Sequence, residues 1–381
     1  MSTVDVRRRL SDATTQELFG LLLILGAAIL LLDLVRLLVT GALPVTRLAT
    51  LLWAGIVDSM YIALAAIGLS MTYSILRFAN FSHGDLLTTG AFSGWVVAWL
   101  VGGIGIAGVA DLILLDNSRN PPTVGELEMQ ILGAPLAILV GLVFAAALTI
   151  LVALAIDQLV YKRMRDTGGI PLLIASVGVA LALRYLIGLV FSVQSHSITA
   201  SAPIVLVEDI AAALPVVDSL AWVPLQRINL HEVTLVAIGL TLIVGVHLML
   251  QYTKLGKSMR AMADNKDLAL ITGIPTERVI FATWVIGAGL AGVAGYLIVL
   301  DRGTVSINLG WFLLLLIFAA VILGGIGSIY GALLGALVIG ITINVSLIWI
   351  PSDLNEVTAF ILMILVLIFK PDGILGGVET A

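Results

Sequence analysis

The chain has 381 residues, of which 60% are hydrophobic and 11% are charged, and its formal net charge is −5. Apolar runs of about 17 to 25 residues recur along it, and each can cross the hydrocarbon core of a membrane as a helix, which excludes the soluble protein classes. The runs are continuous and lack the two-residue alternation of a membrane β-barrel. Because there is no cysteine and the four histidines are widely spaced, we expect no thiol chemistry, no metal and no other cofactor.

The apolar runs predict an all-α polytopic membrane protein with about ten transmembrane helices. They lie at 18–39, 51–75, 86–102, 134–157, 170–192, 233–252, 279–300, 311–325, 329–350 and 356–369. The run at 311–325 is short and ends in a glycine-rich stretch, so a broken or re-entrant helix is the alternative there. We divide the chain into a cytoplasmic N-terminal segment at 1–17, a transmembrane domain at 18–376 and a C-terminal tail at 377–381.

Positively charged residues predict the orientation of these helices. In the ten-helix arrangement, 13 of the 19 Lys and Arg residues lie on the side of the N terminus and five lie on the opposite side. Because cytoplasmic loops are enriched in positive charge, we expect both termini in the cytoplasm. Two long loops, 103–133 and 193–232, then lie outside, where each is either a solvated connector or a contact for an external partner.

Four polar residues cluster between the second and third apolar runs: Asn80, Ser82, His83 and Asp85. Unpaired polar groups at membrane depth are costly and usually have a role. One interpretation is structural: Ser82 or Asn80 caps a helix that begins near Asp85, with the carboxylate in its first turn. The other is that the four side chains line a substrate pathway.

Arg184 is the one cation well inside an apolar run. A buried arginine requires a partner or a watery cavity, and Asp58 is the partner that we predict. The pair is either a structural ion pair or part of a gate or substrate contact.

The segment Lys254–Arg278 is a charged island between two apolar runs, with eight ionisable residues among its 25. Gly256-Lys257-Ser258 resembles the end of a phosphate-binding loop, but the first glycine of that loop is replaced by Gln251. The chain therefore has no ATP site here.

The same segment contains a short predicted helix. Asp264 or Asn265 caps it, and Gly273-Ile274-Pro275 ends it. Its predicted face consists of Leu268, Ala269, Ile271 and Thr272. The two interpretations are a surface that receives force from a soluble motor protein and an ordinary charged connector.

Small residues at helical spacing predict close helix packing. Gly327, Gly331 and Gly335 share one face of a helix in this reading, and Gly292 belongs to a similar set. The spacing leaves open whether these faces pack within the chain or against a second subunit.

Five ordered stretches stand out from the rest: RFANFSHGDLLTTGAF at 77–92, LLIASVGVALALRYL at 172–186, LGKSMRAMADNKDLALITGIPTERVIFATWVIGAGLAGVAGYL at 255–297, FAAVILGGIGSIYGALLGAL at 318–337 and FKPDGILG at 369–376. Together they resemble the permease subunits of branched-chain amino acid ABC importers. The resemblance covers about 50–376.

This resemblance implies a membrane-spanning subunit that provides the translocation pathway for branched-chain amino acids and is not itself an enzyme. The implied partners are two cytoplasmic ABC ATPase subunits, a second permease subunit and an extracytoplasmic solute-binding protein, in the lipid bilayer of the cell membrane and without nucleic acid.

The resemblance also assigns ATPase coupling to the charged island, where Gly273 matches the glycine of the ABC permease coupling motif. The residues that it places at the ATPase are Arg260, Asp264, Asp267, Leu268, Ala269, Gly273 and Ile274. That motif usually begins Glu-Ala-Ala, whereas this chain has Leu268-Ala269-Leu270.

Two alternatives stay open at this stage. One keeps the architecture and changes the cargo to urea, a short amide or another small polar solute. The other is a secondary carrier or channel that works without an ATPase.

Overall fold

The computed structural model describes residues 25–26, 28–107, 112, 122–165, 167–206 and 227–375. Their backbone is mainly helical, with short strands only, which confirms the all-α membrane fold. The segments predicted at 1–17 and 377–381 lie outside the described residues, as does the start of the run at 18–39. The described part of that run forms helix α1 at 28–39, whose apolar side chains are largely exposed.

Eleven further helices follow in the described residues. They are α2 (Val45–Leu76), α3 (Ser82–Gly102), α4 (Pro135–Ile156), α5 (Gly169–Phe191), α6 (Leu230–Tyr252), α7 (Lys254–Asp264), α8 (Lys266–Ile271), α9 (Thr276–Arg302), α10 (Leu309–Gly324), α11 (Ile329–Val345) and α12 (Asn355–Phe369). Helix α4 continues through a π-helical turn, Asp157–Tyr161, to Met164.

Eight helices in the described ranges are long and apolar enough to cross a membrane, namely α2 to α6, α9, α11 and α12, the last two with short 3-10 extensions. Helix α10 is apolar and unbroken but has 16 residues. At 1.5 Å per residue it is about 24 Å long, less than a hydrocarbon core of about 30 Å. The number of ten spans therefore stays a prediction.

Helices α2, α3 and α9 form the centre of the bundle. In α9, 83% of the most apolar stretch is buried inside the protein, against 6% in α12. The outer helices α5, α6 and α12 accordingly present apolar side chains outwards, as expected for surfaces that contact lipid. The central helices can therefore carry polar side chains that lipid would not tolerate.

Glycines allow the central helices to touch through their backbones. A Cβ atom built on Gly90 of α3 would lie 2.3 Å from the Cα of Gly292 in α9. Similarly, a Cβ on Gly331 or Gly335 would meet backbone oxygens of α10 at 2.3 and 2.0 Å. These faces pack within the chain.

The predicted three-glycine face is wrong in one residue. Gly327 precedes α11, since Ser328 caps that helix, and its φ of +88° belongs to the turn after α10. A left-handed backbone is favourable for glycine because it has no Cβ. Gly327 therefore lies in the turn between α10 and α11 and is not part of the packing face of α11.

Two short antiparallel ladders lie at the end of the bundle opposite α7 and α8. Strand β1 (His196–Ser197) pairs with β4 (Thr304–Val305), and β2 (Ile204–Leu206) pairs with β3 (Arg227–Asn229). The first ladder ties the segment after α5 to the end of α9. The bundle thus has one end built from strands and loops and another built from the helices of the charged island.

Candidate functional site

The start of α3 holds a group of buried polar side chains. Oδ1 of Asn80 accepts hydrogen bonds from the backbone N–H of Ser82 at 3.1 Å and from its hydroxyl at 2.7 Å. The hydroxyls of Ser82 and Tyr161 lie 2.8 Å apart, and Tyr161 belongs to the π-helical turn of α4. Nε2 of His83 lies 2.9 Å from the carbonyl oxygen of Ala65 in α2. Asn80 therefore satisfies the first turn of α3, and its neighbours fix that turn to two other helices.

Arg184 of α5 forms a bidentate ion pair with Asp85. Its Nε and one terminal nitrogen lie 3.0 and 2.9 Å from the two carboxylate oxygens. Asp85 is completely buried, and the guanidinium carbon lies 4.5 Å from the centre of the Trp311 ring. Two parallel charge-assisted hydrogen bonds and a cation–π contact offset the cost of burying both charges.

The predicted pair of Arg184 with Asp58 is wrong. Asp58 accepts hydrogen bonds from Tyr61 and, at 2.6 Å, from Nδ2 of Asn344. Apolar runs reveal that a charge needs a partner, but they do not reveal which helix faces it or at what depth. The structure places Asp85 with Arg184 and leaves Asp58 in a separate polar group.

The first turns of α3 and α10 meet beside this pair. A Cβ on Gly310 would lie 1.8 Å from the carbonyl oxygen of Gly84, so the two backbones are in direct contact. The hydroxyl of Thr88 accepts a hydrogen bond from the N–H of Gly310 at 3.0 Å. Helix N-termini carry partial positive charge. The two helix starts and Arg184 therefore surround the Asp85 carboxylate with positive potential.

At the other candidate site, α8 is the short helix that the sequence predicts. Asn265, and not Asp264, caps it, by accepting a hydrogen bond from the N–H of Leu268 at 2.9 Å. Ala269 is buried against the bundle, whereas Leu268, Leu270 and Ile271 are 54%, 59% and 80% exposed. The predicted face is thus divided, with Ala269 on the inner side and apolar side chains on the outer side.

The rest of the coupling segment supports α8. Gly273 follows it with a φ of +84°, and the N–H of Ile274 bonds back to the carbonyl oxygen of Ala269 at 3.0 Å. Arg260 donates to the carbonyl oxygen of Leu250 at 3.0 Å, so it holds α7 against α6. Asp267 lies exposed in the first turn of α8.

A direct link joins the coupling segment to the polar group at α3. Arg77 ends α2 in the left-handed conformation, at φ 59°, and its guanidinium donates to the carbonyl oxygen of Ala263 in α7. Only residues 78–81 separate Arg77 from the start of α3. A displacement of α7 would therefore reach the turn that Asn80 stabilises.

Three residues of these sites are not predictable as site residues from the pattern alone. Tyr161 contacts Asn80 and Ser82 through its hydroxyl, and its ring stacks on that of Trp284 with ring centres 5.5 Å apart. Trp311 covers Arg184. The available signal applies to Tyr161 alone, because a tyrosine hydroxyl in an apolar helix usually needs a hydrogen-bond partner.

A model of the family described as "Branched-chain amino acid transport system / permease component" matches residues 51–367. The high-affinity branched-chain amino acid transport system permease protein BraD of Pseudomonas aeruginosa is 30% identical over 325 residues, covering 85% of this chain and 94% of BraD. The corresponding Escherichia coli K12 protein LivH is 27% identical over 332 residues, covering 84% and 92%. The probable LivH of Methanocaldococcus jannaschii is 27% identical over 333 residues, covering 86% and 92%. No solved structure matches the chain significantly.

Proposed function

We propose a transport role for this chain on the premise that it belongs to the family of permease components of branched-chain amino acid transport systems. It is a multi-pass protein of the cell membrane. In our proposal it forms the translocation pathway of an ABC importer for branched-chain amino acids. Two separate cytoplasmic ATPases drive it, with a second permease subunit and an external solute-binding protein as partners, and both of its termini lie in the cytoplasm.

The observation that carries this proposal is the exposed apolar side of α8. Three large apolar side chains on a capped six-residue helix, outside the apolar spans, are unfavourable in water and favour a protein partner. The helix is fixed to the bundle through the buried Ala269, so force applied to its outer side would reach the bundle. Because the island has no phosphate-binding loop, we place ATP hydrolysis on that partner.

Within the chain, we propose that the polar group at α3 responds to the ATPases. Movement of α7 and α8 would act through Arg77 on the turn held by Asn80, Ser82 and His83. That turn carries Asp85, whose pair with Arg184 joins α3 to α5. We propose that this pair is a gate beside the pathway, and that Asp58 lies towards its outer mouth.

The test is association with the ATPases and uptake of leucine. Leu270→Asp places a charge in the proposed contact, and we expect the importer to lose ATP-driven leucine uptake and ATPase co-purification. The matched control is Ile204→Asp, because Ile204 and Leu270 are both 59% exposed and Ile204 lies in β2 at the opposite end. The control should keep association.

Two outcomes would contradict the proposal. Equal co-purification of ATPase with both variants would remove α8 as the contact. Leucine uptake by the chain alone in liposomes, driven by an ion gradient, would favour a secondary carrier.

A further inference from the structure

A small cavity lies at the end of the bundle opposite α7 and α8. It has a volume of about 160 Å³ and is bounded by the end of α9, the segment after it, α10 and the start of α12. Helix α9 begins at Thr276, within the end of the charged island, and is 27 residues long, so its far end is about 40 Å away. On the orientation proposed above, the cavity faces the external side, where cargo arrives.

Two opposite charges border the cavity without pairing to each other. Arg302 comes from the end of α9 and Glu356 from the first turn of α12. Among the described residues, no hydrogen bond or ion pair engages the carboxylate of Glu356. Arg302 donates from one terminal nitrogen to the Tyr61 hydroxyl at 3.3 Å, and within the described part of the chain its other N–H donors have no hydrogen-bond acceptor.

The third wall of the cavity is apolar. Leu309, Phe312, Leu313 and Leu316 lie on one face of α10, at the spacing i, i+3, i+4 and i+7. Phe312 is 61% exposed, whereas Leu313 and Leu316 are buried. An apolar wall next to one cation and one anion that do not pair with each other suits a small molecule that has all three complementary features.

We propose that this cavity binds the zwitterion of an α-amino acid with a branched aliphatic side chain. Arg302 would hold the carboxylate, Glu356 the ammonium group, and the face of α10 the side chain. The inference deepens the proposed function, on which it rests for the class of cargo. It assigns this chain its own recognition site for the cargo, separate from the solute-binding protein.

The nearby charges favour the same orientation of the ligand. Asp58 also contacts Tyr61, and Asp301 precedes Arg302, so the carboxylates on this side would repel the ligand carboxylate everywhere except at Arg302. Since charge-assisted hydrogen bonds are the strong ones, each charge of the ligand should contribute measurably.

The experiment measures binding to the full chain in lipid nanodiscs by saturation-transfer difference NMR. The probes are leucine, leucinamide, which lacks the carboxylate, and 4-methylpentanoate, which lacks the ammonium group. For the wild type we expect leucine to bind about tenfold tighter than either analogue, the size of one hydrogen bond to a charged group.

The variants assign each ligand charge to one residue. In Arg302→Gln, leucine and leucinamide should bind alike, and in Glu356→Gln, leucine and 4-methylpentanoate should bind alike. Arg227→Gln and Asp353→Asn are the matched controls, because both residues are exposed at the same end of the bundle, and they should keep the wild-type preference. If Arg302→Gln does not fold, the Glu356→Gln arm decides, since Glu356 is exposed and without a partner among the described residues.

The inference is overturned if the wild type binds none of the three probes, binds them equally, or keeps its preference in both variants. Leucine uptake by the assembled importer is measured in parallel. If the importer takes up leucine but the chain binds the three probes equally, only the proposed binding site in this cavity is rejected. If the importer shows no ATP-driven leucine uptake, the proposed function is rejected.

Discussion

Two of the ion-pair sites in the described residues use the same chemistry in different surroundings. Asp85 and Arg184 pair inside the bundle, where Asp85 is completely buried. At the coupling end, Arg165 joins Glu277 at 2.7 Å, but the side chain of Glu277 is 63% exposed. Water screens the second pair and does not reach the carboxylate of the first. The buried pair should therefore determine folding and gating, and the exposed pair should contribute little.

Removal of one buried partner should have the largest effect. Arg184→Gln leaves Asp85 buried without its cation, and we expect the free energy of unfolding to fall by about 3 to 5 kcal/mol. The measurement is thermal or denaturant unfolding of the purified chain in a fixed detergent, together with leucine uptake by the assembled importer.

A second substitution tests the identity of the partner. Arg184→Gln combined with Asp85→Asn removes both charges and should recover part of the loss, because no uncompensated charge remains. Arg184→Gln combined with Asp58→Asn is the control and should recover nothing. If stability recovers with Asp58→Asn and not with Asp85→Asn, the partner of Arg184 is Asp58, as the sequence predicts.

An intermediate effect is expected at the turn that joins the two sites. Asn80→Ala removes the acceptor for the N–H and hydroxyl of Ser82, and by analogy with the loss of a helix cap we expect a cost of about 0.5 to 2 kcal/mol. Asn308→Ala is the comparison variant, since the exposed Asn308 precedes α10 without a side-chain capping bond. Equal unfolding midpoints for the two variants would show that the Asn80 bonds do not stabilise the turn.

The comparison also separates what the sequence predicts from what it does not. The apolar runs locate most spans to within a few residues, because the thickness of the membrane fixes helix length. The apolar runs do not predict α7, which is amphipathic and lies outside them. The spacing of Leu255, Met259 and Met262, at i, i+4 and i+7, is the signal that indicates this helix. The partner of Arg184 cannot be predicted from the sequence, because it depends on the rotation and depth of α3 and α5 in the membrane. The sequence predicts Ala269 on the same face as Leu268 and Ile271, whereas Ala269 is buried and the other two are exposed. Six residues are too few to define the periodicity of a helix.

The smallest effect is expected at the exposed pair. Glu277→Gln leaves Arg165 bound to Asp157, whose carboxylate oxygens lie 3.0 and 2.8 Å from the same terminal nitrogen. We therefore expect a change of less than about 1 kcal/mol, which shrinks further in high salt because exposed charges are screened. Asp157→Asn is the comparator: Asp157 is 7% exposed, so its loss leaves a largely buried guanidinium with one exposed partner and should cost more. If the two variants unfold alike at low and high salt, burial is not what separates strong from weak ion pairs in this protein, and the contrast with Asp85 would need another cause.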